Sequence, residues 1–413
     1  LNIVGIVVEY NPFHYGHAHH LAEAKRITKA ESVVAVMSGN FLQRGEPAIV
    51  DKWARAEMAL RLGVDLVLEL PIAYSSQSAE WFARGAAAIL HGTGVVSHLC
   101  FGSEAGHTQE LAELAELLAH EPGDLKALIA EELSGGAAYP AAYAAAAARL
   151  AAARLARPAE HVRDLMLAPN NSLGLHYMIA LQRLGSAIKP VTIPREGAGY
   201  LDPLPGAGPI ASATAIRRLL LGPGGLSEAR RYMPEAAADI LSREFAAGRG
   251  PVTWEHFRTP LFHELLTRSP KRLAHLHEMT EGLEYRLYRV LPELPEPTVE
   301  ALLDALKTKR YTRTKLQRLL VHLLLQHEHK ELDPASLSKG PRYLRVLGFT
   351  DRGQQLLKQM KSLASLPVIT RPQSFSDPML ELDLRSAAVY NNAMQDHSTA
   401  QLFREFRQAP IRC

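Results

Sequence analysis

The chain has 413 residues, 47% hydrophobic and 22% charged, with a formal net charge of +3. That balance fits a soluble globular protein of two or three domains and excludes a membrane-spanning one, because no apolar run reaches the roughly 18–20 residues a span needs. Two cysteines, Cys100 and Cys413, form neither a disulfide framework nor a metal spacing. Leu1 to Glu9 lacks the basic flank and cleavage site of a signal peptide, so a cytoplasmic location is expected.

In chain order, Asn2 to Glu9 is a nearly continuous apolar run, as in a strand buried on both faces. Asn11-Pro12 breaks it, and His17 to Ala30 has helical spacing through Leu21, Ala24 and Ile27. Ser32 to Met37 reads as a second strand. Asp51 suits the N-cap of a helix through Leu62, which Gly63 ends. Asp65 to Leu70 is a third strand, Ser78–Leu90 a helix, and a fourth strand ends at Phe101-Gly102. The alternation predicts an α/β fold with a doubly wound parallel sheet. Leu111 to Ala156, rich in Ala and Leu, reads as a helical insertion covering about 107–165. Asn171 to Leu184 is a further helix, Ile188 to Ile193 a last strand, and Ser212 to Leu221 a closing helix after a Gly/Pro loop. The division expected is a catalytic domain over 1–222 and, after a Gly222 to Gly225 linker, a mostly helical, basic domain over 226–413. Short β-like segments are expected only in the tail from Pro367.

Between the first strand and first helix lies Glu9-Tyr10-Asn11-Pro12-Phe13-His14-Tyr15-Gly16-His17. In parallel α/β sheets ligands bind at this edge, and phosphates favour helix N-termini. Gly16 permits close backbone approach, and the two imidazoles can stabilise charge building on a phosphate. Zinc held by His14, His17 and His20 is the competing reading. With no cysteine nearby and Glu9 the only carboxylate upstream, no metal is assigned. Farther on, Ser212 and Thr214 start a helix with Arg217 one turn in, a second phosphate-binding pattern. Asp65 suits a cap or a functional acid equally well.

The two motifs in this order resemble the nucleotidyltransferase superfamily with the HUP-type α/β fold. The strings Val8-Glu9-Tyr10-Asn11-Pro12-Phe13-His14, Val36 to Pro47, Asp51-Lys52-Trp53-Ala54-Arg55, Gly63 to Pro71, Phe101-Gly102-Ser103-Glu104, Pro169 to Gly174 and Ala211-Ser212-Ala213-Thr214 are similar to the tRNA(Met) cytidine acetate ligase family. The resemblance is dense over residues 3–220 and looser beyond. It departs from the family pattern at Leu201 and beside Arg195, where Glu196 stands.

That resemblance implies ATP-dependent activation of acetate as acetyl-adenylate. Transfer to N4 of the wobble cytidine of elongator tRNA(Met) follows, with no acetyl-coenzyme A. It implies that Val7, Val8, Glu9, Tyr10, Asn11, Pro12, Phe13, Tyr15, Gly16 and His20 line the ATP site, with His14 and His17 as the catalytic pair. Gly102 would admit the adenosine; Asn171 or Asn170, and Arg195, would contact the nucleotide; Ser212, Thr214 and Arg217 would hold phosphates. Mg²⁺ is expected on the β- and γ-phosphates, held mainly by the nucleotide. An RNA surface is expected from Lys307, Lys309, Arg310, Arg313, Lys315 and Arg318, with Tyr311 stacking on a base, from Lys339, Arg342 and Arg345, and from Lys52 and Arg55. A small-molecule adenylyltransferase and a non-catalytic tRNA-binding protein are the alternatives. Protein partners are not legible.

Overall fold

The computed structural model of the chain describes residues 2–120, 123–194, 210–280 and 282–413. Five parallel strands form its centre: β1 (Ile3–Val8), β2 (Ser32–Ser38), β3 (Leu66–Leu70), β4 (His98–Ser103) and β5 (Lys189–Pro194). β6 (Leu344–Phe349), β7 (Val368–Ile369) and β8 (Ile411–Arg412) come from the C-terminal half. The order is β5-β4-β1-β2-β3-β6-β7, with β8 also on β6. The chain runs outward from β1 through β2 to β3, then crosses to the far side of β1 for β4. The switch point of a doubly wound sheet therefore falls between β1 and β4.

The three strands β1, β2 and β3 are almost wholly apolar because both faces are covered, whereas β5 at the edge carries Lys189 and Thr192 and is mostly half-buried. Val34 and Val36 of β2 join the core on one face, while Val33, Ala35 and Met37 join the core on the other. The helix Lys52–Arg61 follows the Asp51 cap, whose Oδ1 accepts the Ala54 N–H at 2.9 Å. The insertion consists of the helices Gln109–Ala119, Gly123–Ser134, Tyr139–Leu155 and Ala159–Leu167. After it the helix Pro169–Arg183 returns to the sheet and packs on β4. An added Cβ at Gly174 would stand 2.4 Å from the Phe101 ring, so glycine sets that close approach.

β6 is the main departure from the expected architecture. It lies inside a stretch read as helical, and it pairs antiparallel with β3 through Leu66↔Phe349 and Val67↔Gly348. It covers an edge that β3 would otherwise leave open. A buried ionic cluster fixes the junction. Lys52 Nζ lies 2.7 Å from Glu69 and 2.8 Å from Glu405, and Arg345 lies 2.5 Å from Glu405. The Trp53 indole N–H donates to the same Glu405 at 2.8 Å.

Candidate active site

The carboxyl ends of the central strands stand level. Ile6 pairs with Cys100 and Val8 with Met37, so Glu9, Ser38 and Gly102 reach one edge of the sheet. Val7 and Val8 are half-buried there. Tyr10 takes a left-handed backbone, φ 50°, and Asn11-Pro12 is cis, which together turn the chain into the helix Tyr15–Thr28. Tyr10 and Phe13 are buried with ring centroids 4.6 Å apart, and both pack edgewise on His17. Tyr15 points outward and is exposed; His20 is half-buried on the next turn.

His14 caps this helix. Its Nδ1 accepts the Gly16 N–H at 3.1 Å, while Nδ1 of His17 accepts the His14 N–H at 3.3 Å. The two imidazoles thus form a reciprocal capping box, with rings 3.7 Å apart. Both Nδ1 atoms act as acceptors, so each neutral ring carries its proton on Nε2. The pair is a set of oriented N–H donors at a helix N-terminus, the arrangement that stabilises charge developing on a phosphate.

The helix Ala213–Leu221 starts beside it. Ser212 caps this helix, its Oγ accepting the Ala215 N–H at 3.0 Å, and Thr214 is half-buried on its first turn. Ile210 lies 3.7 Å from where a Cβ on Gly16 would stand, so the two N-termini adjoin. Arg217 reaches back to the Asn11 carbonyl at 3.0 Å and to Glu46 at 3.2 Å. The Asn11 side chain holds the Ile49 N–H at 2.8 Å.

Glu9 ends β1. Its carboxylate accepts the Gln43 N–H at 2.7 Å and the Ser38 hydroxyl at 3.2 Å. Burial raises its pKa above the usual carboxylate range, opposed by the Gln43 N–H and the Arg55 charge and reinforced by Glu46. On the β4 side, Glu104 accepts the Asn171 N–H at 2.8 Å and the Asn170 side-chain amide at 2.7 Å. Asn171 Oδ1 takes the Ala105 N–H at 3.0 Å. Gly102 is half-buried beside them, paired with Ile193. Glu46 and Glu104 were not singled out from sequence. Both stand within the strings that carried the resemblance, which is the signal that pointed to them. Arg195 and Leu201 lie outside the described residues.

Several basic residues are not where an RNA surface needs them. Lys52 is buried in the Glu69–Glu405 cluster. Arg55 is fully buried, donating to the carbonyls of Glu9 (2.6 Å), Ser38 (3.2 Å), Val50 (3.2 Å) and Gly39, so it braces the cleft from behind. Arg345 is buried too and Tyr311 belongs to the core, whereas Arg342 is exposed, with one contact to Asp377 at 3.1 Å. A charge run does not reveal which members find carboxylates across the fold. Asp65 is structural: it accepts the Val33 N–H at 2.9 Å and the Thr350 hydroxyl at 3.0 Å. Lys307, Lys309 and Arg310 are exposed. Arg313 pairs with Glu300 at 2.6 Å, Arg318 with Glu278 at 3.1 Å, and Lys315 bonds the Thr280 hydroxyl at 2.8 Å.

Over residues 1–405 the chain matches the family described as HIGH Nucleotidyl Transferase, the class that the sheet and the paired histidines define. It is 39% identical to the tRNA(Met) cytidine acetate ligase of Acetivibrio thermocellus over 99% of both chains. It is 42% identical to that of Halalkalibacterium halodurans over 100% of this chain and 97% of the relative. The crystal structure of Thermotoga maritima TmcAL bound with alpha-thio ATP matches with a TM-score of 0.90 at 35% identity, covering 100% of this chain and 99% of that one. The apo form of the same protein matches with a TM-score of 0.91 at 36% identity, with the same coverage. This chain belongs to the tRNA(Met) cytidine acetate ligase family.

Proposed function

We propose that this chain is an ATP-dependent tRNA ligase that acetylates N4 of the wobble cytidine of elongator tRNA(Met). An acetate oxygen attacks the α-phosphorus of ATP, the bond to the bridging α–β oxygen breaks, and pyrophosphate leaves. The cytidine N4 amine then attacks the acetyl carbonyl, AMP departs, and the nitrogen loses a proton. The observation that carries this reading is the reciprocal His14–His17 cap, which holds two imidazoles at a helix N-terminus at the switch point, each with Nδ1 engaged by a backbone N–H. Adenylyl transfer needs positioning and charge neutralisation more than protein covalent chemistry. Ser212, Thr214 and Arg217 supply the second side of a phosphate cradle, and Gly102 with Asn170 and Asn171 flanks the side where the adenosine would lie.

Among the described residues no group of three or more His, Cys, Asp or Glu side chains is placed to hold a metal ion. Mg²⁺ is expected on the β- and γ-phosphates of bound ATP, where it would neutralise charge on the leaving pyrophosphate. None of the helices among these residues is long and apolar enough to cross a membrane.

The test is acetate-dependent ATP–pyrophosphate exchange without RNA. Exchange by the wild type, reduced roughly 10²–10³-fold in His17→Ala, is the expected result for loss of an oriented donor to the transition state. Exchange absent from the wild type with acetate, before and after tRNA is added, would exclude the ligase reading.

A further inference from the structure

The helix Leu283–Val290 buries Leu283 and Leu287 and turns Tyr285 and Tyr288 outward, 65% and 60% exposed. Among the described large hydrophobic side chains only Leu266, at 74%, is more exposed. The two tyrosines are three residues apart, hence neighbours on one face, and exposed Arg289 lies on the same arc. Two rings left in water cost solvation that folding normally recovers, and such pairs mark interaction sites.

This helix is held against the basic turn. Arg286 donates to the last carbonyls of the helix Val299–Leu306, Ala305 at 2.8 Å and Leu306 at 3.0 Å, directly before Lys307. The turn is itself fixed: Thr308 Oγ1 accepts the N–H groups of Arg310 at 3.2 Å and Tyr311 at 3.0 Å. Lys315, on the helix Arg313–Leu325, reaches back to Thr280 just before the tyrosine helix. A helix with two exposed rings and exposed Arg289 is thus tied to a turn whose Lys307 and Lys309 are exposed. Ahead of the basic turn, Glu300 and Asp304 are engaged by Arg313, while Glu284 and Glu293 are the acids nearest Arg289 in sequence.

The same element touches the catalytic cleft. Gly45 packs on the Arg313–Leu325 helix so closely that a Cβ there would stand 2.2 Å from the Arg318 amide nitrogen. Glu46, next in the chain, binds Arg217 of the phosphate cradle. From Arg313 to Arg318 the helix rises only about 7.5 Å.

We propose that Tyr285 and Tyr288 are a base-stacking platform for single-stranded RNA, flanked by phosphate-binding Arg289, Lys307 and Lys309. The inference rests on the tRNA ligase reading and names a surface for its RNA substrate. Unpaired loop bases beside the one entering the cleft would lay their faces on the rings while the cations take the backbone. A second copy of this chain is disfavoured on the same face, because it would bring these like charges together.

The test uses the full chain carrying Tyr285→Ala with Tyr288→Ala, or Tyr285→Phe with Tyr288→Phe. Affinity for unmodified elongator tRNA(Met) is measured at fixed salt, beside RNA-independent pyrophosphate exchange. The alanine pair is expected to bind roughly tenfold or more weakly, the loss of base stacking, with the phenylalanine pair binding as wild type and exchange equal in all three. Wild-type affinity in the alanine pair, or equal weakness in the phenylalanine pair, overturns the proposal. Should the alanine pair lose exchange through misfolding, Lys307→Ser with Lys309→Ser decides. Two lost phosphate contacts reduce the slope of log affinity against log salt by about 1.4, and an unchanged slope overturns the platform. A wild type that exchanges pyrophosphate but binds no tRNA overturns the surface and leaves acetate activation standing; one that does neither overturns the ligase reading itself.

Discussion

At the residue scale, His14 and His17 cap the helix with their own rings, and the proposed chemistry falls to the ring atoms the cap does not use. Nδ1 of each ring closes the helix cap, which fixes both ring orientations. Gly16 is what allows this, because an added Cβ would meet His14 Cε1 at 2.9 Å and Nδ1 at 3.0 Å. Gly16→Ala is therefore expected to rotate the His14 ring and lower pyrophosphate exchange by roughly 10–10²-fold, as small misplacement of a catalytic group does. The urea midpoint should shift little, since Gly16 is in ordinary helical backbone where alanine is favourable. A variant that exchanges at the wild-type rate would show that the cap geometry is unimportant. The histidines, Ser212 and Arg217 were legible because their spacing follows from helix starts that sequence reveals. The fates of Lys52, Arg55 and Arg345 were not, because each is decided by partners up to 353 positions away, as between Lys52 and Glu405.

At the element scale, the five parallel strands and the helices capped by Asp51 and Ser212 fall where apolar runs and capping residues place them. β6 does not stand out in the same way, since Leu344-Arg345-Val346-Leu347 could serve a short buried helix as well as a strand. Only the open edge of β3 selects the extended form. The loop after β2 depends similarly on a remote helix. Gly45 has φ 75° and presses on the backbone of Gln317 and Arg318, and the Trp254 indole N–H donates to its carbonyl at 3.1 Å. Gly45→Ala combines a left-handed alanine with a backbone clash. A loss of roughly 1–3 kcal/mol or more in urea unfolding is expected, with a weaker Glu46–Arg217 contact and a raised KM for ATP. Unchanged stability would mean that the loop and helix separate freely.

At the scale of the whole molecule, the seam between the two halves of the chain sets the pH response. His322 and His327 are buried there and His277 half-buried beside them, with His322 Nδ1 3.0 Å from His327 Nδ1 and its Nε2 3.1 Å from the Ser76 carbonyl. Burial lowers His277 to about 4, His327 to about 3, and His322 well below its usual value of 6.5. Their neutral forms contribute stability that is fully present above pH 6.5 and is lost as pH falls through those folded values. Asp383, which accepts the Ile72 N–H at 2.7 Å and the Tyr343 hydroxyl, runs the other way. Burial lifts it from 3.8 to about 7, so its contribution is present below pH 3.8 and is lost as pH rises through about 7. Three imidazoles outweigh one carboxyl. The urea midpoint is therefore expected to drop between pH 7 and pH 5, less steeply in His277→Asn; a flat or rising wild-type profile would refute this.

The sequence by itself determined the parallel core, the switch-point loop and the capped helix starts at His14 and Ser212, because these rest on short-range rules: apolar periodicity, caps and the spacing of residues at a helix start. The tertiary structure alone decided which cations are buried and which face solvent, that a C-terminal strand completes the sheet, and that the helix bearing two exposed tyrosines is tied through Arg286 to the residues before the basic turn. Those outcomes depend on burial and on partners brought together from distant parts of the chain, and no local pattern encodes where a remote carboxylate will lie.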